Sequence, residues 1–131
     1  MAQMPVERTE TVGGEVAVEE TRRLISSDKV GGTEVYNQEG DNLGSIHTLM
    51  IDKVSGKVEY AVMSFGGFLG MGERYHPLPW RTLTYDTSRG GYVVNLSREQ
   101  LEAAPNYGRD EDWWATPGHG RSINDYYGLP Y

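Results

Sequence analysis

Three histidines, His47, His76 and His119, are the side chains of this 131-residue chain that titrate near neutrality without help from their surroundings. A metal site would need several of them gathered with carboxylates, and no H-x-H or HExxH spacing gathers them. His47 and His76 stay as the weaker candidates, for pH sensing, and no metal is expected. Asp52 and Glu59 stand seven residues apart across a turn, where Lys53 and Lys57 can neutralise them at an exposed strand end. Acid and base roles need carboxyls whose pKa values a cleft has pushed apart, and nothing around these two suggests one. The absence of cysteine removes disulfides, thiol nucleophiles and thiolate metal sites together. The run GGFLGMG at residues 66–72 has the glycines of a phosphate cradle. It lacks both the βαβ setting of a dinucleotide site and the Gly-Lys-Ser/Thr ending of a P-loop. These residues predict no catalytic group, no cofactor and no enzymatic turnover.

Contact chemistry is better represented. Phe68, Leu69 and Met71 sit among four glycines, and Trp80 follows a proline-broken strand. Trp113 and Trp114 are adjacent, so at most one indole easily enters the chain's own core from a strand or a helix. Tyr126 and Tyr127 lie in a final aromatic cluster with Tyr131. Exposed apolar groups of this size mark interfaces, and tryptophan is enriched at their energetic centres. These eight residues, from Phe68 to Tyr127, are the candidate interface. The tail carrying the tryptophans has two destinations open to it: its own barrel, or the partner subunit of a homodimer.

Charge limits the partners. Nineteen acids against 12 bases give a formal charge of -7, which excludes DNA binding of the ordinary phosphate-neutralising kind. RNA contact ranks behind protein contact, because Arg98 and Arg109 are isolated among Glu99, Glu102, Asp110, Glu111 and Asp112. No apolar run approaches the roughly 20 residues that span a bilayer, and the first thirty residues hold no signal-peptide run. A soluble, cytoplasmic chain without membrane insertion is therefore expected.

The elements that would position these residues are short strands and turns. Residues 1–23 read as a flexible lead-in, residues 24–107 as the folded body and residues 108–131 as an aromatic tail. Strands are predicted over 33–36 (TEVY), 43–52 with a bulge or bend at Gly44, 58–65 (VEYAVMSF), 75–78, 84–86 and 92–96. Both faces of 58–65 become apolar after its first residues, which makes it a central strand. Pro77 and Pro79 confine the next strand to an edge or a corner. Residues 80–83 read as a turn. Ser97 and Gln100 fit a capping box heading a helix that Pro105 stops. The fold class expected is mainly β: a small closed antiparallel barrel of five or six strands with a short C-terminal helix. Closure would remove the open edges that a core this small can least tolerate.

Several segments together resemble the PRC-barrel family, a domain found in the cytoplasmic part of the photosynthetic reaction centre H subunit and in a 16S rRNA processing and ribosome maturation factor. They are SSDKVGGTEVYNQEGDNLGSI, LMIDKVSGKVEYAVMSFGG, HPLPW at 76–80 and YVVNL at 92–96, with Gly40, Gly44, Asp52, Gly56, Val58, Pro79 and Trp80 at the family's recurring positions. The resemblance covers residues 24–107 and implies a barrel adaptor without a shared chemistry. The chain lacks the membrane helix of the first relative and the extra N-terminal barrel of the second, which sets it beside stand-alone bacterial members. The expected function is a non-enzymatic protein-binding adaptor, acting as a homodimer through its barrel mouth and tail. An RNA-metabolism or ribosome-associated binding protein is the alternative, and an accessory domain of a membrane or electron-transport complex the second.

Overall fold

The computed structural model describes residues 24–65 and 73–130. It divides into two units, Met1–Gly32 and Thr33–Tyr131. In the first, the described residues carry a single turn of helix, α1 (Ser27–Val30), whose N-cap Ser26 accepts the Asp28 N–H.

The second unit is a seven-stranded sheet. Its strands are β1 (Glu34–Asn37), β2 (Asn42–Ile51), β3 (Val58–Phe65), β4 (Arg74–Pro79), β5 (Thr84–Asp86), β6 (Gly91–Val94) and β7 (Tyr107–Gly108), in the spatial order β5-β6-β1-β2-β3-β4-β7. Helix α2 (Arg98–Ala103) follows β6, and α3 (His119–Tyr126) ends the chain's regular structure. Among the described residues no ladder joins β5 to β7, so the sheet is not closed. It also has more strands than expected, and β1 pairs with β6 in parallel while the other ladders are antiparallel. A hairpin announces itself through its turn, whereas a parallel pair with four strands between its members carries no local signal. The mainly β class stands. Among the described residues no helix is long and apolar enough to cross a membrane.

Strand β3 has neighbours on both sides, and Ala61, Val62 and Met63 are all fully buried, as two apolar faces require. Strand β4 follows β3 along its whole length, but β7 covers it only at Arg74 and Tyr75. Pro77 and Pro79 therefore stand where no second ladder asks for their missing N–H groups. Ser97 heads α2 with the full capping box: its Oγ accepts the Gln100 N–H at 3.0 Å, and Gln100 Oε1 accepts the Ser97 N–H at 2.8 Å. This fastens Leu101 into the core, where it is fully buried.

Three bulges bend the central strands. The register passes over Leu43 between β1 and β2, and over His47 and Glu59 between β2 and β3. Each extra residue increases local twist and re-aims its side chain. At the first bulge Gly44 adopts φ +152°, and a Cβ there would lie 2.1 Å from the Ser64 carbonyl oxygen. Gly56, in the β2–β3 turn, has φ +80° but open space around it. Gly44→Ala is thus expected to lower stability by overpacking, by roughly 1–3 kcal/mol beyond the conformational cost shared with Gly56→Ala. Urea unfolding midpoints at constant slope measure the difference.

Candidate functional site: an aromatic ladder between tail and sheet

The residues singled out in the tail converge on the sheet. Asp112 precedes a 3₁₀ turn, Trp113–Ala115, and that turn sets the two indoles at 87° with centroids 5.0 Å apart. Trp113 lies flat between Tyr107 of β7 (5.1 Å, 13°) and His119 of α3 (4.0 Å, 12°). Tyr107 continues to Tyr75 of β4 at 5.6 Å, and Tyr75 stacks on His47 of β2 at 4.5 Å. The result is one ladder of rings, His47–Tyr75–Tyr107–Trp113–His119, crossing three strands and the tail. Trp114 braces it from the side: its Nε1–H donates to the Tyr107 hydroxyl oxygen at 3.0 Å, and its ring tilts onto Tyr60 of β3 at 5.6 Å.

Both tryptophans, half-buried, pack on the cluster of Val62, Tyr75 and Tyr107 together with Met50. Neither indole is fully buried, yet both are engaged on the sheet. A 3₁₀ turn directs adjacent side chains about 120° apart, so one can stack while its neighbour meets the ladder edge-on. The sheet supplies a matching polar anchor. The Tyr60 hydroxyl donates to Asn124 Oδ1 at 2.8 Å, and Asn124 Nδ2 donates to the Pro130 carbonyl at 2.9 Å. Burial pushes the Tyr107 phenol's pKa up, partly opposed by the Trp114 hydrogen bond. Arg74 joins the same edge through Asn106 at 2.8 Å and Glu111 at 3.8 Å.

The other interface candidates divide. Phe68, Leu69 and Met71 lie outside the described residues. Trp80 opens the 3₁₀ turn Trp80–Thr82, as the turn at 80–83 anticipated, and meets Tyr92 edge-on at 5.6 Å. Tyr126 is exposed and donates its hydroxyl to the Gln100 carbonyl at 2.6 Å. Tyr127 meets Tyr126 edge-on, and its buried hydroxyl finds no partner among the described residues. Burial drives that phenol's pKa upward.

Against protein-family models, residues 23–101 match the PRC-barrel domain. The chain belongs to the PRC-barrel family. Among solved structures it is similar to a candidate 16S ribosomal RNA processing protein, RimM, from Pseudomonas aeruginosa, at 21% identity and a TM-score of 0.37. That match covers 56% of this chain and 44% of the other, so the chain spans less than half the length of that relative. No curated protein matches. Tyr107, Trp113, Trp114, His119 and Asn124 all lie beyond the PRC-barrel match, so the ladder joins family strands to a segment outside it.

The remaining chemical candidates of this PRC-barrel chain do not converge. Asp52 accepts from the Val54 N–H at 2.8 Å and the Ser55 N–H at 2.9 Å, and those bonds, Ser55 first, hold its pKa below the usual carboxylate value. Its carboxylate serves the turn, while Glu59 is exposed at a bulge. Among the described residues no three His, Cys, Asp or Glu side chains gather as a metal would need. His47 is exposed on Tyr75, because the bulge turns it out of strict alternation. His76 is 2% exposed, edge-on to Phe65 at 5.3 Å, with no hydrogen-bond partner for Nδ1 among the described residues. Burial, then the Arg74 charge, lowers its pKa to about 4.

Replacing Trp113 and Trp114 together by Ala is expected to lower unfolding stability by roughly 3 kcal/mol, while Asp110→Asn with Asp112→Asn shifts it by less than about 1 kcal/mol. Chemical denaturation reads both. For His76, the unfolded ring binds its proton near pH 6.5 and the folded ring only near 4, so stability is complete above 6.5 and falls as pH drops toward 4. The loss is on the order of 3 kcal/mol. Stability measured across that window should flatten in His76→Leu.

Proposed function

We propose that this PRC-barrel chain is a non-enzymatic, protein-binding adaptor whose contact surface includes the tip of the β2–β3 hairpin. The observation that carries this reading is the exposure of two aliphatic side chains there: Val54 is 97% exposed and Ile51 51%. The tip is firmly built. Besides the Asp52 bonds, the Gly56 N–H reaches the Asp52 carbonyl and the Asp52 N–H the Lys57 carbonyl, each at 2.8 Å. A preorganised apolar tip loses little entropy when it is covered by another protein. With the tail's indoles engaged on the sheet, the tip supplies apolar surface that the body itself does not use.

Self-association belongs to the same proposal, since a two-fold pair covers one patch with its own copy. Sedimentation equilibrium tests it, and a monomer throughout the micromolar range would rule the dimer out. Affinity capture from native extract tests the adaptor role. Ile51→Asp with Val54→Asp is expected to abolish recovery of protein partners that the parent chain retains, and between about 50 and 200 mM salt retention should fall far less than the roughly thousandfold or greater loss that phosphate-backbone binding shows. Steep loss of capture over that range, with RNA recovered in place of protein, would favour the RNA-binding reading instead.

A further inference from the structure

A groove of about 280 Å³ opens beside the base of the same hairpin, walled by Lys57, Tyr60, Pro79, Trp80, Arg81 and Asn124. We infer that it binds an acidic peptide segment of the partner protein, with Lys57 and Arg81 holding its carboxylates and Trp80 receiving an adjacent apolar residue. The inference rests on the adaptor reading and names the partner's chemistry.

Charge comes first. In a chain of net charge -7, Arg74, Arg89 and Arg109 each lie within 4 Å of a carboxylate of the chain itself. Lys57 and Arg81, both exposed, form no ion pair among the described residues, and they face one groove. A guanidinium there offers a carboxylate two parallel hydrogen bonds, which an ammonium beside it supports as a point charge. Glu59 lines the same groove and leaves it with a single net positive charge. That suits a short acidic stretch. A nucleic-acid backbone needs a track of cations, and this groove has two, with Glu59 in the same lining and a net charge of -7 on the chain.

Composition and rigidity agree. Tryptophan, arginine and tyrosine are the residue types that dominate binding energy at interfaces, and all three meet here. The backbone that carries them is set in advance. The Thr82 hydroxyl donates to the Pro79 carbonyl at 2.7 Å, and the Leu83 N–H to the Trp80 carbonyl at 3.1 Å, which fixes the turn carrying Trp80 and Arg81. Tyr60 is held from the other side by Asn124 at 2.8 Å. A backbone already ordered loses less freedom on binding.

The experiment is a ¹H–¹⁵N NMR titration of the full chain with an acetylated, amidated hexapeptide of alternating glutamate and leucine. The same peptide with glutamine for glutamate is the control, and Trp80→Phe assigns the indole signal. The expected result is saturable shifts at the Trp80 indole and at Lys57 and Arg81, absent with the glutamine peptide, with affinity at least tenfold weaker in Lys57→Gln with Arg81→Gln. Should that variant lose its fold, rising salt on the parent chain must weaken the binding instead. Shifts absent from the groove, binding equal for both peptides, or tighter binding of an oligouridylate at the same residues would overturn the inference. If peptide binding fails while Ile51→Asp with Val54→Asp still abolishes capture, only the groove assignment falls. If peptide binds but capture ignores the tip, the tip reading falls instead.

Discussion

Trp113, lying flat between Tyr107 and His119, is the contact on which the rest of the arrangement depends. Strand β7 has two residues and, among the described residues, pairs only with the start of β4. So short a ladder cannot hold an edge by its backbone hydrogen bonds alone. The rings supply what the ladder lacks, since each well-placed aromatic pair adds about 0.5–1.5 kcal/mol beyond the area it buries. Here the pairs run in series, so Tyr107 is fixed from the sheet by Tyr75 and from the tail by Trp113. Strand β4 benefits in turn. Two of its residues are prolines and cannot donate to a neighbour, and the short β7 ladder that the rings hold pairs with Arg74 and Tyr75.

That use of the tail changes where a partner would be met. Adjacent tryptophans on a free tail would be the obvious anchors, but in this chain they pack on Tyr107 of β7, just beyond the PRC-barrel match, and on Val62 and Tyr75 within it. The segment beyond residue 101 extends the family fold by β7, the Trp113 turn and α3. Its polar counterpart is Asn124, which ties the central strand through Tyr60 and the chain's last turn through Pro130. The contacts proposed above lie instead on features that the sheet itself presents: the hairpin tip, and the adjacent groove where Trp80 and Arg81 ride on a fixed turn.

Features encoded locally are legible in the residues. The two apolar faces of 58–65 announce a central strand, the Ser97–Gln100 box a helix start, the two prolines a strand with one bare side, and Gly44 a bulge. What depends on distant pairing is not. The parallel β1–β6 ladder joins segments separated by four strands, and β7 is defined only by the strand it meets. The open sheet follows from the same blindness, because closure is inferred from the need to satisfy edges, and which strands end unpaired is set by distant pairing. Helix α3 is hidden because a glycine and a proline precede it and its buried residues reduce to Ile123 and Asn124. Alternation assigns His47 to a face, and alternation fails at a bulge. Lys57, Tyr60 and Arg81 read as ordinary surface and strand residues, since nothing in their spacing shows that one groove collects them.

The central claim is that the tail packs on the sheet of its own chain, and isotope-filtered nuclear Overhauser spectra test it most directly. In a mixture of labelled and unlabelled chains, the contacts of Trp113 with Tyr107 and His119, and of Trp114 with Tyr60, should be seen only within a single chain. Were these contacts found only between labelled and unlabelled chains, the ladder would belong to an exchanged dimer, and packing of the tail on its own sheet would be refuted.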